Sequence, residues 1–191
     1  MKKNLIERLE LTGLTSYVTF TSLPQTYDGL YIVASMRSSD TVSTFEGGYD
    51  PWLFRYNGSD TGYTNRELYG TGAAVGTTTD PNRSGNTWVS GTWARCGNYG
   101  VSNANNTSNV FSTGSMLIPN YAGSNYKSTS AEMVKENNTT NAHQHMNALL
   151  WSNTAAITSI SFALGLGQFV AGTSFSIYGI TAGSDGTTTV S

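Results

Sequence analysis

The chain has 191 residues, of which 12% are charged, and its formal net charge at neutral pH is −2. Soluble domains usually carry about 25% charged residues, so the surface of this protein must consist mainly of uncharged Ser, Thr, Asn and Gly. Nucleic acid binding requires lysine and arginine to neutralise phosphates, and this composition therefore excludes nucleic acid as an expected partner. No stretch approaches the ~20 apolar residues of a membrane-spanning helix, so no membrane partner is expected.

The first 15 residues are predicted to form an N-terminal arm. Leu5, Ile6 and Leu9 fall near one side of this segment, which gives it enough amphipathic character to bind a partner protein. The alternatives are a first strand of the domain or a disordered end. Charged residues interrupt the segment before any long apolar run, which excludes a secretory signal, so we expect the protein to be made and folded in the cytoplasm.

Short alternating segments follow in chain order, separated by Gly, Pro and Asn. Alternation of apolar and polar residues predicts strands at residues 17–23, 29–37, 52–56, 63–69, 115–118, 125–136 and 142–151. Residues 70–115 are predicted to form mostly loops. The chain ends in two further alternating segments, 156–164 and 172–180, which predict a hairpin with Ile160, Phe162, Phe175 and Ile177 facing the core.

This pattern of many short strands without a helix of consequence indicates an all-β protein. The length favours a single domain, here residues 16–182, with residues 183–191 as a flexible tail. About eight to ten strands favour an antiparallel β-sandwich with jelly-roll-like connections over an immunoglobulin-like domain.

A candidate metal pair is present in the sequence. His143 and His145 are spaced to lie on one face of a strand. Two ligands do not close a metal site, and a third would have to come from a distant carboxylate such as Asp28, Glu46 or Asp50. The pair is therefore expected to be exposed or to lie between subunits, and no metal is assigned.

The chain offers few residues for catalysis. No serine lies in a nucleophile motif, and the acidic residues are scattered singly, so neither a catalytic triad nor a glycosidase pair is indicated. Cys96 is the single cysteine and is expected to be a small buried residue. No enzymatic activity, catalytic residue or cofactor is predicted.

Aromatic residues of the predicted loops are the remaining candidates for ligand binding. Trp88, Trp93 and Tyr99 lie among Asn and hydroxyl residues, as do Tyr49 and Trp52. Such rings can stack on a sugar while their neighbours supply directional hydrogen bonds. The alternative is that they are core or subunit-interface rings.

Four segments, in order, resemble a family of small virion proteins of tailed bacteriophages. They are YVTFTSLPQTYDGL (17–30), WLFRYNGSDTGYTNREL (52–68), MLIPNYAGSNYKS (116–128), and LLWSNTAAITSI with FVAGTSFSIYGI (149–160 and 169–180). The last matches the family's ending, in which an A-I-T-S-I element precedes a G-S/T-x-F-x-I/L-Y-G-I strand. The likeness spans residues 17–180.

This resemblance implies a jelly-roll-like virion component and carries over no catalytic residue. The expected function is a non-enzymatic capsid decoration or cement protein that binds the major capsid protein. The alternative is a tail or head fibre module that recognises host surface carbohydrate. About 16 residues precede the matching region, fewer than fibre members carry, which favours the compact capsid-bound subunit. Low charge and many aromatic residues favour self-association as a homotrimer.

Overall fold

The protein is an all-β sandwich. The computed structural model describes residues 2–42, 50–78, 82–84, 90–137 and 142–181, and within these ranges it contains strands and no helix, hence none that could cross a membrane. The strands are β1 (Lys2–Glu10), β2 (Tyr17–Phe20), β3 (Gly29–Met36), β4 (Asp50–Tyr56), β5 (Tyr63–Gly70), β6 (Val75–Thr78), β7 (Asn82–Ser84), β8 (Thr92–Val101), β9 (Ser112–Pro119), β10 (Lys127–Lys135), β11 (His143–Trp151), β12 (Ile160–Leu164) and β13 (Ser174–Thr181).

Eight of these strands have jelly-roll connectivity. They form two facing sets with the orders β1-β13-β3-β9 and β2-β12-β4-β8. The other strands are insertions that extend both sets. The first set becomes an eight-stranded sheet by addition of β10-β11-β5-β6, and the second becomes a five-stranded sheet by addition of β7. We call these the large and the small sheet. The predicted antiparallel sandwich of one domain is confirmed.

The N-terminal segment forms the first strand of this sandwich. A first strand was one of the two alternatives to the predicted arm. β1 pairs with β13 from Lys2 to Glu10, with a bulge between Leu5 and Glu7. The bulge shifts the alternation by one residue. As a result Ile6 and Leu9 pack against the core, whereas Leu5 faces outward and is 56% exposed. The three residues therefore do not share one side.

The last two predicted strands exist but do not form a hairpin. β12 lies in the small sheet between β2 and β4, and β13 lies in the large sheet between β1 and β3. Ile160, Phe162, Phe175 and Ile177 all face the core, as predicted. The two strands therefore face each other across the core instead of sharing hydrogen bonds.

Residues 70–115 contain more strand than predicted. β8 was missed because Gly97 and Gly100 interrupt its apolar alternation. Both glycines are required by packing, since a Cβ at either position would lie 2.8 Å from the side chain of Met133 in the facing sheet. Cys96, also in β8, is fully buried and unpaired by any disulfide, as expected. Residues 183–191, the predicted tail, lie outside the described residues.

Candidate functional site

The inserted strands bring polar side chains into the interior of the sandwich. On β11, His143, His145 and Asn147 alternate inward. Lys135 on β10 is paired with His143, and Glu67 on β5 is paired with Asn147. All five are almost completely buried. We call them the histidine cluster. Because polar groups lose their water on burial, such a cluster must be held by internal contacts.

A carboxylate fixes one of the two imidazoles. Nδ1 of His145 donates a hydrogen bond to Oε1 of Glu67, and both side chains are fully buried. The same oxygen accepts the backbone N–H of Asn98 on β8 at 3.1 Å. Glu67 thus links an imidazole of the large sheet to the backbone of the small sheet.

Amides next to this pair make further links between the sheets. Oδ1 of Asn147 accepts the backbone N–H of Gly97 at 3.3 Å, and Nδ2 of Asn65 donates to the carbonyl oxygen of Arg95 at 3.0 Å. These bonds connect β5 and β11 to β8, where apolar packing would otherwise join the sheets.

The histidine rings stack on each other and on two tyrosines. The ring centroids of His143 and His145 are 5.7 Å apart with an interplanar angle of 6°. Tyr69 stacks on His145 at 5.8 Å, and Tyr99 approaches His143 at 5.9 Å. Both tyrosines are half-buried, so they form the rim of the cluster.

The electrostatics keep His143 neutral at neutral pH. Burial first, and then electrostatic interactions with Lys135 and His145, lower the pKa of His143 to about 4. Burial and the nearby Glu67 carboxylate raise the pKa of the Cys96 thiol, so this cysteine is not activated as a nucleophile.

The prediction that the histidine pair is exposed or lies between subunits was wrong, because both rings are inside the sandwich. Among the described residues the carboxylate that contacts His145 is Glu67 and not Asp28 or Asp50, and Glu46 lies outside the described residues. The missed signal was the alternation of Tyr63, Asn65, Glu67 and Tyr69 along β5, which puts Glu67 on the buried face. Within the described residues no three metal-ligating side chains come together.

The aromatic residues that were predicted to stack on a sugar do not form one binding surface in the described structure. Trp93 is 1% exposed, with the guanidinium of Arg55 4.1 Å from its ring centroid and its Nε1 donating to the carbonyl of Ser90 at 3.1 Å. A sugar cannot stack on this ring, which corrects the prediction. Trp88 lies outside the described residues. Tyr99 is accessible only in part, and its ring is engaged by the histidine cluster.

The outward side chains of the same inserted strands form an open groove. Its volume is about 590 Å³, and its lining includes Arg66, Leu68, Thr77, Ser130, Glu132 and Met146. Met146 and Leu68 are about half exposed and form the apolar floor. A smaller hollow of about 300 Å³ follows at the level of Val134, Gln144 and Gly70.

The groove belongs to a wide face that is almost uncharged. Across the six central strands of the large sheet, from β13 to β5, Arg66 and Glu132 are the charged residues that point outward, and at one edge the ammonium of Lys3 on β1 lies 3.8 Å from the ring centroid of Tyr31. The other outward positions carry hydroxyl, amide or apolar side chains: Ser174, Ser176, Tyr178, Tyr31, Val33, Ser35, Thr113, Ser115, Leu117, Ser128, Ser130, Val134, Gln144, Met146, Ala148, Leu150, Thr64 and Leu68. We call this surface the neutral face.

Comparisons of the chain with protein-family models, with curated proteins and with solved structures give no match.

Proposed function

We propose that this protein is a non-enzymatic structural component of a tailed-phage virion, a capsid decoration protein that binds the major capsid protein through its neutral face. The neutral face is the observation that carries the proposal. Burying a charged side chain without a partner is costly, whereas hydroxyl and apolar groups can be covered at little cost. A surface with so few charges is therefore suited to permanent contact with another protein.

The neutral face is large enough for specific docking. Six strands spaced about 4.8 Å apart, with outward rows over about 24 Å of strand, give a footprint of about 700 Å². A stable protein–protein interface buries roughly 800 Å² on each partner. The exposed side chains of Leu117, Val134, Met146 and Leu68 supply the apolar contacts that an interface core requires.

The sequence resemblance supports the same proposal, because it implies a jelly-roll-like virion component, and the S-F-S-I-Y-G-I segment of its last element forms the closing strand of the sandwich. In the proposed role the protein is located in the virion and associates with copies of itself as a homotrimer. It acts by adding contacts between capsid subunits, and it needs no cofactor.

Binding to stripped capsids tests the docking surface. Thr113→Glu with Ser130→Glu places two negative charges on the neutral face, at exposed positions of β9 and β10. We expect this variant to lose retention on the particles, because the added carboxylates would have to be desolvated. The matched control is Thr21→Glu, at an exposed position beyond β2 on the small-sheet side. Equal retention of the face variant and the control contradicts the proposed surface.

Copy number in purified virions separates decoration from the fibre role. Quantitative mass spectrometry is expected to find the protein in numbers comparable to the capsid subunits. A few copies per particle, together with loss of host adsorption in virions that lack the protein, would instead support a carbohydrate-binding fibre module.

A further inference from the structure

We propose that the groove on the neutral face binds an extended segment of the capsid partner that carries an acidic, an apolar and a basic residue at alternate positions. This inference names what the groove recognises, and it rests on the proposed function. It is carried by one relationship. Arg66 and Glu132, neither of which forms an ion pair within the described residues, lie on opposite sides of the apolar floor of the groove.

The pairing of the strands fixes the layout of the groove. Outward positions of neighbouring strands form rows across the sheet, because paired residues point to the same side. One row runs from Glu132 on β10 through Met146 on β11 to Leu68 on β5. The next row contains Ala148 on β11 and Arg66 on β5. Arg66 and Glu132 therefore lie diagonally opposite each other, and the apolar side chains of β11 lie between them.

The two charges are available to a ligand. Arg66 and Glu132 are both exposed. In the described part of the chain, the guanidinium of Arg66 donates to the carbonyl oxygen of Asn65 at 2.8 Å and forms no ion pair. The carboxylate of Glu132 forms neither a hydrogen bond nor an ion pair with any described residue. A partner that supplies the opposite charges therefore gains charge-assisted hydrogen bonds without breaking an existing ion pair.

The spacing of these charges matches an extended chain. Strands are about 4.8 Å apart, and successive outward residues of one strand are about 6.8 Å apart. Arg66 and Glu132 are two strands and one row apart, so their Cα atoms are separated by about 12 Å. In an extended segment, residues i and i+4 point to the same side and are about 13 Å apart. An acidic residue at one of these positions reaches Arg66 while a basic residue at the other reaches Glu132.

The floor of the groove suits an apolar side chain in the middle of this segment. Residue i+2 lies over β11, where Met146 is 51% exposed, and beside Leu68 on β5, which is 47% exposed. Covering these two side chains removes apolar area from water. Ala148 next to them carries only a methyl group, which leaves room for an incoming side chain. Because methionine adapts its shape, the floor accepts more than one apolar residue type.

A peptide segment fits the groove better than a sugar or a second copy of the chain. Sugars commonly stack on aromatic rings, and none of the described residues that line the groove is aromatic. A second copy could offer its edge strand β1, but the outward charges of that strand, Lys3 and Arg8, are both positive, and one of them would meet Arg66. Strand addition does not apply, because β10, β11 and β5 each have a neighbour on both sides.

Charge exchange on stripped capsids tests the order of the charges. Arg66→Glu combined with Glu132→Arg keeps the composition, the net charge and the apolar floor of the groove, but exchanges the two signs. We expect the affinity for capsids to fall by about tenfold or more, because each charge of the bound segment then faces a like charge. A double variant that binds as tightly as the wild type overturns the inference.

The matched control exchanges an exposed ion pair outside the neutral face. Arg8→Glu combined with Glu10→Arg uses the same substitutions on β1, where the two side chains are 2.7 Å apart. We expect this protein to bind capsids like the wild type. Circular dichroism should show that both exchanged proteins are folded, since all four positions are exposed. An equal loss of binding by the two proteins overturns the inference.

Cross-linking identifies the bound segment. A photoreactive residue in place of Thr77, which lines the groove and is paired with Leu68, is irradiated on capsids, and the attached capsid peptide is sequenced by mass spectrometry. We expect an acidic, an apolar and a basic residue at alternate positions. Exchanging the acidic and basic residues of that segment should restore binding of Arg66→Glu with Glu132→Arg. A segment without this pattern, or a failure of this rescue, overturns the inference.

The binding data separate failure of the inference from failure of the proposed function. If the wild type does not bind stripped capsids, the proposed function fails. If Thr113→Glu with Ser130→Glu abolishes binding but the charge exchange in the groove does not, the proposed function stands and the inference alone is overturned. A changed oligomeric state of the exchanged protein with unchanged binding to capsids would assign the groove to contacts between copies, and also overturns the inference.

Discussion

Phe162 and Phe175 stack face to face across the two sheets, with ring centroids 5.2 Å apart and an interplanar angle of 9°. Phe162 belongs to the small sheet and Phe175 to the large sheet, and neither is exposed. Phe162 also stacks on Trp52 at 5.3 Å, and Phe175 meets the ring of Phe169 edge-on at 5.3 Å. The two final strands are therefore joined by ring packing at the centre of the jelly roll.

Truncation at this point should be among the most destabilising changes in the protein. Phe175→Ala is expected to lower the free energy of unfolding by about 3–5 kcal/mol, because it removes a buried ring and leaves a cavity. Urea unfolding followed by tryptophan fluorescence measures the loss. Ser176→Ala, at the adjacent outward position, is the control and should change stability by less than about 0.5 kcal/mol. Similar losses for the two variants would contradict the packing described.

The same pair shows what the sequence could and could not predict about the fold. Alternation identified which side chains of β12 and β13 face the core, because strand periodicity is a local property. It did not show that the strands lie in different sheets. That depends on pairing with β1, β2, β3 and β4, which are more than a hundred residues away, and no local pattern encodes such partners.

The candidate site illustrates the same limit. The spacing of His143 and His145 predicted that both rings share one face, and they do. Whether that face is buried depended on two other features. One is β8, which was not predicted because its glycines interrupt the apolar alternation, and the other is the pairing of β11 with β5. Glu67 became a partner of His145 only through that pairing. The polar interior was therefore not predictable from β11 alone.

Asp50 gives a pH-dependent prediction. Its carboxyl accepts hydrogen bonds from Oγ of Ser38 at 2.6 Å and from the backbone N–H groups of Leu166 and Gly167 at 2.8 and 2.7 Å. Burial nevertheless raises its pKa from 3.8 to about 7. A carboxyl with a higher pKa in the folded state stabilises the fold at low pH, and this contribution is lost as the pH rises through about 7.

Asp50→Asn removes this titration. The difference in free energy of unfolding between wild type and Asp50→Asn is expected to be largest near pH 4 and to shrink towards pH 7.5, by urea unfolding at each pH. Glu7→Gln, at an exposed carboxylate of β1, is the control and should show no such trend. A difference that stays constant or grows with pH would contradict the buried environment of Asp50.

Asn57 has a left-handed backbone conformation, and its side chain makes several hydrogen bonds to the segment before β12, which we call the clamp. Its φ is 51°, a left-handed conformation that favours Gly or Asn. Its Oδ1 accepts the N–H groups of Thr158 and Ser159 at 2.9 and 3.1 Å, and its Nδ2 donates to the carbonyl of Ala156 at 2.8 Å. The turn after β4 is thereby attached to the segment that leads into β12.

Two substitutions separate these contributions. Asn57→Gly removes the clamp but keeps the backbone conformation, whereas Asn57→Ala loses both. Thermal or urea unfolding should show that Asn57→Ala is less stable than Asn57→Gly by about 1 kcal/mol, the usual cost of a left-handed conformation for a residue with a Cβ. Equal stability of the two variants would mean that the turn relaxes and that the clamp alone matters.

Deletion of β1 should damage the sandwich itself. The strand pairs with β13 over its whole length, and Ile6 and Leu9 pack against the core. Removing residues 2–10 would uncover the edge of β13, which carries Phe175 and Ile177 inward, and an open edge without charges pairs readily with other chains. We expect lower stability and concentration-dependent aggregation by light scattering.

The charged residues of β1 explain why the edge strand of the full chain is not expected to cause aggregation. Lys2, Lys3, Glu7, Arg8 and Glu10 are exposed along it, and the bulge at Ile6 interrupts its outer hydrogen-bonding edge. A control in which Ile6 and Leu9 are both changed to Ala keeps this charged edge but loses core contacts. It should be less stable than wild type yet remain free of aggregation while folded. If the deletion protein is instead as stable and as soluble as the full chain, β1 is dispensable and the segment acts as an arm after all.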